Sequence, residues 1–196
     1  MRDAKGQKGG EVMRMVEVVD YDFRWPVQFR VEAEKIKGIL GAELVEIFHI
    51  GSTTVENLRA KPIIDIMPVV KDICAVDCFK GQFEAIGYEA LGEYGMAGRR
   101  FFRKGPETRS YHVHVYEDGN RHDIERHLAV RDFLRKHPAE ANKYGQLKKE
   151  LAAFFPFDVG AYVNGKDSFV KALEKRAVEW YLARKAGSID SGGKDG

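Results

Sequence analysis

The sequence predicts a mixed α/β (α+β) fold in which helices pack on a mixed β-sheet. The hydrophobic patterns along the chain follow the order helix, two strands, helix, several strands and then helices. Of the 196 residues, 44% are hydrophobic and 32% are charged, which is typical of a globular protein with a sizeable core. No apolar run approaches the roughly 20 residues of a membrane-spanning helix, so we expect no membrane association.

Periodicity defines the first elements. Apolar side chains recur at spacings of three and four over residues 25–40, which predicts a helix that Gly41 can end. The β-branched and aromatic run Leu44–Ile50 predicts a strand. A second strand, Pro62–Val70, is apolar almost throughout and is therefore expected to be buried on both faces.

The middle of the chain is predicted to be mostly β-structure. An apolar pattern over 79–86 first indicates a short helix that ends at Gly87. Residues 99–104 then form a predicted strand, and residues 110–117 alternate strictly between two faces. The segment 105–109 is the predicted turn between these two strands.

The last third is predicted to be helical. The expected helices cover about 125–137, 139–154 and 168–185. Pro138 separates the first two of them, because proline cannot continue a preceding helix.

Composition and charge indicate the domain bounds, the class of partner and the cellular location. We expect a flexible arm at 1–15, one domain at 16–186 and a flexible tail at 187–196. The net charge of +2 argues against a nucleic-acid partner, as does the lack of an evident aromatic and basic stacking platform. Cys74 and Cys78 are interpreted as free thiols, and the N-terminus has no secretory pattern, so the expected location is cytoplasmic.

The most informative stretch is HIGSTTVENLRAKPIIDI at residues 49–66. A strand leads into Gly51 and Ser52, and Asp65 lies in the middle of the next strand. Gly51, Ser52 and Thr53 could contact a phosphate, or could form an ordinary turn. Asp65 lies in an apolar run and needs a cation or hydrogen bonds, and it could hold Mg²⁺ against a phosphate. This layout is that of the nucleotidyltransferase fold of polymerase-β-like enzymes.

The wider string resembles the GrpB family, uncharacterised proteins with a nucleotidyltransferase-like fold, some of them fused to dephospho-CoA kinase. The resemblance covers about residues 18–175. It rests on VDYDFRW (19–25), residues 49–66, the glycine-rich run into GRRFF (92–102), RSYHVHV (109–115), RDFLRKHP (131–138) and YGQLKKELA (144–152). The resemblance implies that fold and a candidate pocket, without an established reaction.

Two positions depart from the pattern of active polymerase-β-like enzymes. Those enzymes have two carboxylates on either side of one residue, which together bridge two metal ions. Here Met67 occupies the position of the partner of Asp65, as GrpB-like sequences generally lack that acid too. Phe48 precedes His49 where the family often has an acid. Both departures reduce the negative charge available for a pair of metal ions and so argue against ordinary two-metal nucleotidyl transfer.

Histidines could replace the missing acid. His112 and His114 share one face of a strand that is expected to lie next to the strand of Asp65. With Asp65 they could form a triad for a transition metal, or they could line the pocket without a metal. His49 is interpreted either as a pocket acid or base, catalytic alongside Asp65, or as a hydrogen-bonded core histidine.

Basic residues provide candidate phosphate contacts. Lys61 enters the Asp65 strand, and Arg99 and Arg109 flank the hairpin that leads to the two histidines. An exposed strand edge is the alternative explanation for the arginines. Lys148 is read as a solvent-facing helical charge, although Tyr144, Lys148 and Lys166 also match the family's C-terminal pattern and could close the pocket.

Two functions remain open from the sequence. The first is a metal-dependent nucleotidyl- or phosphoryl-transferase that acts on a phosphorylated small molecule, with Mg²⁺ brought by a nucleotide or with a transition metal. The second is a module that has lost catalysis and binds a nucleotide or a CoA-type ligand. Met67 favours the module, whereas the number of polar groups in the predicted pocket favours the enzyme.

Overall fold

The chain folds around one five-stranded mixed sheet. A computed structural model describes residues 15–105 and 109–190, with side chains as far as residue 186. The strands are β1 (Leu44–Ile50), β2 (Ile64–Val70), β3 (Tyr88–Ala90), β4 (Arg99–Lys104) and β5 (Tyr111–Glu117). Their order is β1-β2-β5-β4-β3, with β2 and β5 parallel and the other neighbours antiparallel.

Helices pack on both faces of this sheet. They are α1 (Trp25–Leu40), α2 (Lys80–Ala85), α3 (Arg121–Lys136), α4 (Pro138–Phe154), α5 (Val159–Gly165) and α6 (Asp167–Asp190). The predicted α+β class with a mixed sheet is therefore confirmed. The predicted first helix, first strand and residues 99–104 strand have the predicted bounds.

Several element ends differ from the sequence prediction for local reasons. β2 begins at Ile64 because Pro62 has no N–H for the ladder and the N–H of Ile63 donates to Lys61 O at 2.7 Å. α3 begins four residues before the predicted start, because the side chain of Asn120 accepts a hydrogen bond from the N–H of Asp123 and caps the helix.

The C-terminal part is more helical than predicted. α5 was not predicted, and the side chain of Asp158 caps it by accepting from the N–H of Ala161. α6 continues to Asp190 and so enters the segment 187–196 that was expected to be a flexible tail. The rest of that tail, residues 1–14 of the expected arm and residues 106–108 of the predicted turn lie outside the described residues.

Separate hydrophobic clusters cover the two sheet faces. On one face, α1 and α2 pack on the sheet through residues such as Ile36 and Phe83. On the other face, α3 packs on Ile50, Met67 and Tyr116. A third cluster joins α3, α4 and α6 beside the loop that follows β1, which brings α4 to the edge of the sheet.

The α1 face contains a buried carboxylate with two cationic partners. Glu32 is 1% exposed, yet it lies 2.8 Å from Lys35 Nζ and 2.7 Å from Lys104 Nζ. Burial raises the pKa of Glu32, but the hydrogen bonds from Lys104 and Lys35 outweigh that effect and leave the pKa lowered. Each carboxylate oxygen therefore has its own cation.

Candidate functional site

The parallel pairing of β2 and β5 creates a cluster of three ionisable groups. Asp65 and His112 are register partners, and His114 faces the same side two residues further along β5. Asp65 Oδ1 lies 3.3 Å from His112 Nδ1 and 3.4 Å from His114 Nε2. The predictions that β5 neighbours β2 and that both histidines face Asp65 are confirmed.

The cluster has the geometry of a metal-ligand set. One ligand atom from each of Asp65, His112 and His114 lies within 4.8 Å of the other two. The Nε2 atom of His112 is buried and has no hydrogen-bond partner among the described residues. One oxygen and two imidazole nitrogens suit zinc, manganese or iron better than magnesium, which prefers oxygen ligands.

The protonation states fit the same chemistry. Burial lowers the pKa of His114, with Asp65 opposing that effect, so the ring is neutral at pH 7. Burial works to raise the pKa of Asp65, but hydrogen bonds from His112 and His114 outweigh it and keep the carboxylate ionised. Metal ligands must be deprotonated, and an ionised carboxylate beside a neutral imidazole meets that requirement.

One contact competes with metal binding at His114. Arg99 Nη1 lies 3.4 Å from His114 Nδ1 and can only donate, so this contact places the ring proton on Nε2, towards Asp65. A metal on Nε2 would move that proton to Nδ1 and break the contact with Arg99. At 3.4 Å the contact is long, so its loss removes little stabilisation.

Gly51 allows the turn after β1 to approach Asp65 closely. Its φ is +72°, a left-handed conformation that glycine adopts readily. A Cβ at this position would clash with Asp65 Oδ2 and lie 3.1 Å from Asp65 Cγ. The absence of a side chain at Gly51 therefore lets the backbone of this turn pack against the Asp65 carboxylate.

Most of the sequence-predicted site residues line one cavity of about 310 Å³. Its lining includes Gly51, Ser52, Thr53, Lys61, Asp65, His112, Tyr144, Lys148, Tyr162 and Lys166. The expected meeting of Ser52 and Asp65 at one pocket is therefore observed. A larger cavity of about 720 Å³, beside α3 and α6, contains none of the predicted site residues.

Three lysines give this cavity its positive charge. Lys148 is 3% exposed, and its Nζ has no hydrogen-bond partner among the described residues. Burial and the charges of Lys166 and Lys61 lower the pKa of Lys148 to about 7, although Asp65 opposes the shift. Reading Lys148 as a solvent-facing charge is wrong, because α4 turns this position towards the cavity.

His114 does not line the cavity, and neither does His49. The Nε2 atom of His49 is 2.9 Å from the hydroxyl of Thr53, and its ring stacks on Phe29 with centroids 4.7 Å apart. Burial lowers the pKa of His49 to about 4. Of the two sequence interpretations, the hydrogen-bonded core histidine fits these contacts, and the ring positions Thr53 from behind.

The two candidate arginines also lie outside the lining of the cavity. Arg99 is 8% exposed and donates to the carbonyls of Glu93 and Tyr94, which holds it beneath His114. Arg109 precedes β5 and does not line the cavity either. Both sequence interpretations of Arg99 are therefore wrong: its side chain does not reach the cavity to contact a phosphate, and it is buried rather than on an exposed strand edge.

The positions that depart from the enzyme pattern lie in the core. Met67 is fully buried with Ile50 and Tyr116, and Phe48 is its partner on β1. Asp65 is the one acidic residue that lines the cavity in the described part of the chain. The site therefore has ligands for one metal ion and lacks the second carboxylate of a two-metal site.

The sequence prediction missed Tyr162, which lines the cavity from α5. Lys61 Nζ lies 5.3 Å and Lys166 Nζ 5.7 Å from the centroid of its ring. The signal that could have revealed α5 is Asp158 placed three residues before Ala161, which is the spacing of an N-cap.

The fold and site define an α+β protein with a lysine-lined cavity beside an Asp-His-His cluster. Comparison with known proteins gives the family: a family model described as "GrpB protein" matches residues 15–176, and the chain belongs to this family. The resemblance drawn from the sequence is therefore confirmed.

Individual relatives are consistent with this assignment. The chain is 47% identical over 171 residues to the UPF0157 protein YqkA of Bacillus subtilis. These aligned residues make up 87% of this chain but only 50% of YqkA, so the chain spans about half the length of that relative. It is similar to the crystal structure of the conserved protein GrpB from Enterococcus faecalis, with a TM-score of 0.83, 47% identity and coverage of 85% of this chain and 99% of that one.

More distant matches carry enzyme names. A dephospho-CoA kinase of Mycolicibacterium paratuberculosis is 24% identical over 190 residues, which cover 84% of this chain and 46% of that protein. The Cid1 poly(U) polymerase gives a TM-score of 0.41 at 14% identity, covering 60% of this chain and 37% of that one. Within the described ranges, the chain forms no helix that could span a membrane.

Proposed function

We propose that this protein is a metal-dependent transferase that moves a phosphoryl or nucleotidyl group of a phosphorylated small molecule. The observation that carries the proposal is a cavity lined both by three lysines and by Asp65 and His112 of the metal-ligand cluster, whose third member, His114, is not part of the lining. Asp65, His112 and His114 can ligate a cation, and Lys61, Lys148 and Lys166 can neutralise phosphate oxygens.

Each group has a separate task in this proposal. A divalent metal ion at the three ligands would polarise a phosphate oxygen as a Lewis acid. Lys148 of α4 and Lys166 after α5 bind the remaining phosphate charge, together with Lys61 from the segment before β2. The hydroxyl of Ser52 and that of Thr53, which His49 positions, orient the ligand from the turn after β1.

A second candidate is a binding module without catalysis. The buried Met67 favours it, because no second carboxylate faces Asp65 to activate an acceptor. The named dephospho-CoA kinase among the distant matches is consistent with an accessory role for this domain beside an enzyme, with a nucleotide or CoA-type ligand.

Calorimetric titration of the protein with Zn²⁺, Mn²⁺ and Mg²⁺, each alone and with ATP as a probe, tests the proposal. We expect Zn²⁺ and Mn²⁺ to bind without nucleotide and to lose at least tenfold in affinity in Asp65→Asn and His114→Gln. His122→Gln is the matched control, because the side chain of His122 is 87% exposed and is not one of the three clustered ligands.

The two candidates give different results in the same experiment. ATP binding that requires a metal and that Asp65→Asn abolishes supports the transferase when it is accompanied by slow transfer to water as the acceptor, seen as AMP and pyrophosphate for nucleotidyl transfer or as ADP and phosphate for phosphoryl transfer. ATP that binds equally well with and without metal, and equally to Asp65→Asn, contradicts the transferase and favours the module.

A further inference from the structure

Lys148 is a buried amino group whose surroundings leave its charge unbalanced. Its side chain is 3% exposed, its Nζ has no hydrogen-bond partner in the described part of the chain, and its atoms line the cavity. The nearest aromatic face is that of Tyr144, whose centroid lies 4.4 Å from Nζ. Burying an unpaired ammonium is strongly unfavourable, so the amine tends to lose its proton.

The charged groups that face Lys148 come from every element around the cavity. Lys61 precedes β2 and Lys166 follows α5, and both add positive charge. Asp65 on β2 is the acid in the lining, and it is already shared with His112 and His114. Tyr144 and Tyr162 stay neutral, since burial raises the pKa of both phenols. Asp65 favours the protonated form of Lys148 through its charge, but it makes no hydrogen bond to that amine.

We propose that the cavity takes up one proton together with its phosphorylated ligand, and that Lys148 is the group that receives this proton. The proposal rests on the proposed function in one respect, which is that the ligand carries phosphate. An anion in the cavity supplies the partner that Lys148 lacks and stabilises the ammonium form. Ligand binding and protonation of Lys148 are then one coupled event.

The expected pH dependence follows from linkage. Without ligand, the pKa of Lys148 is about 7. A bound anion raises that pKa, so between the free and the bound value the complex holds more protons than the free protein. Affinity therefore falls as pH rises above 7, by about tenfold per pH unit until the bound pKa is reached.

Isothermal titration calorimetry with inorganic tripolyphosphate, without added metal, tests the coupling. At pH 8.0, titrations in two buffers with different heats of ionisation give the number of protons taken up. Lys148→Arg is the key variant, because a guanidinium keeps its proton at every pH used. Lys149→Arg is the matched control, since Lys149 is the next residue of α4 and is exposed.

We expect the wild type and Lys149→Arg to take up about 0.9 proton more than Lys148→Arg at pH 8.0. The affinity of Lys148→Arg should stay constant between pH 7 and 9 apart from the titration of the ligand itself. If the Arg variant does not fold, Lys148→Met serves instead, and it should show no excess proton uptake.

Two other outcomes overturn the proposal in distinguishable ways. Tripolyphosphate that binds the wild type with the same proton count as Lys148→Arg contradicts the role of Lys148 and leaves the phosphate site standing. Tripolyphosphate that binds at no pH between 6 and 9 contradicts the phosphate site of the proposed function as well.

Discussion

Two buried charges lie on opposite sides of the sheet and are treated in opposite ways. Glu32, on the α1 side, has a lysine within 2.8 Å of each of its carboxylate oxygens. Lys148, on the cavity side, has no hydrogen-bond partner among the described residues. A buried charge that has an oppositely charged partner within the protein is tolerated in the folded state. A buried charge without such a partner destabilises the folded state unless a ligand of opposite charge binds to it. This contrast is what the proposed function predicts, with the ligand on the cavity side.

Removing the paired charge should have the largest effect on stability. Glu32→Gln removes the buried carboxylate and leaves the half-buried ammonium of Lys104 without its partner, so we expect the free energy of unfolding to fall by about 3 kcal/mol. Urea denaturation at pH 7 measures this change. Glu34→Gln is the control, because Glu34 pairs with Lys37 on the exposed side of the same helix, and it should change stability by less than about 0.5 kcal/mol. Equal effects of the two variants would remove the contrast drawn above.

Removing the unpaired charge should act in the opposite direction. Lys148→Met keeps the aliphatic stem and removes the amine, so we expect the ligand-free protein to gain about 2 kcal/mol at pH 7. The folded pKa of Lys148 lies below its unfolded value, so the unfolded chain binds more protons between the two. The wild type is therefore stabilised as pH rises above 7, and the advantage of the variant shrinks.

The same denaturation series run from pH 7 to 10 measures that trend. Lys149→Met should leave both the stability and its pH slope unchanged. A loss of stability in Lys148→Met at pH 7 would show that the amine is satisfied in the ligand-free protein.

The last predicted effect, similar in size to that of Lys148→Met, concerns the turn that lines the cavity after β1. Gly51→Ala adds a Cβ against Asp65 Oδ2 in a left-handed conformation, so we expect a loss of about 2 kcal/mol and weaker metal binding. Gly95→Ala separates the two causes, because Gly95 has a similar φ of +79° with nothing within 4 Å of an added Cβ. It should lose only about 1 kcal/mol and bind metal normally. If both variants bind metal alike, Gly51 matters for the backbone only.

Periodicity predicted most of the fold because local patterns and burial agree there. The strict alternation of residues 111–117 correctly placed His112 and His114 on one face of β5. It could not give the register, which is set by pairing between distant segments and makes His112 the partner of Asp65. The triad was therefore predicted as a set, and its geometry required the structure.

Lys148 was wrongly predicted to face solvent because lysines are usually exposed, although its spacing places it on the buried face of α4. The buried positions of α4 are Ala141, Tyr144, Gly145 and Lys148, which follow the three-and-four spacing of one helix face. A lysine on that face was the available signal for a buried amine. The placement of Arg99 was less accessible, because its partners are backbone carbonyls of the loop that precedes it.

The parallel pairing of β2 with β5 also has a consequence for how the protein folds. The candidate ligands on these two strands come from distant parts of the chain, and the two strands can pair only when the long intervening segment, which contains α2, β3 and β4, has brought them together. We expect the Asp-His-His cluster to assemble late, after the rate-limiting barrier of folding. Bound zinc should then slow unfolding and leave the refolding rate unchanged, because the ion stabilises the native state but not the folding transition state.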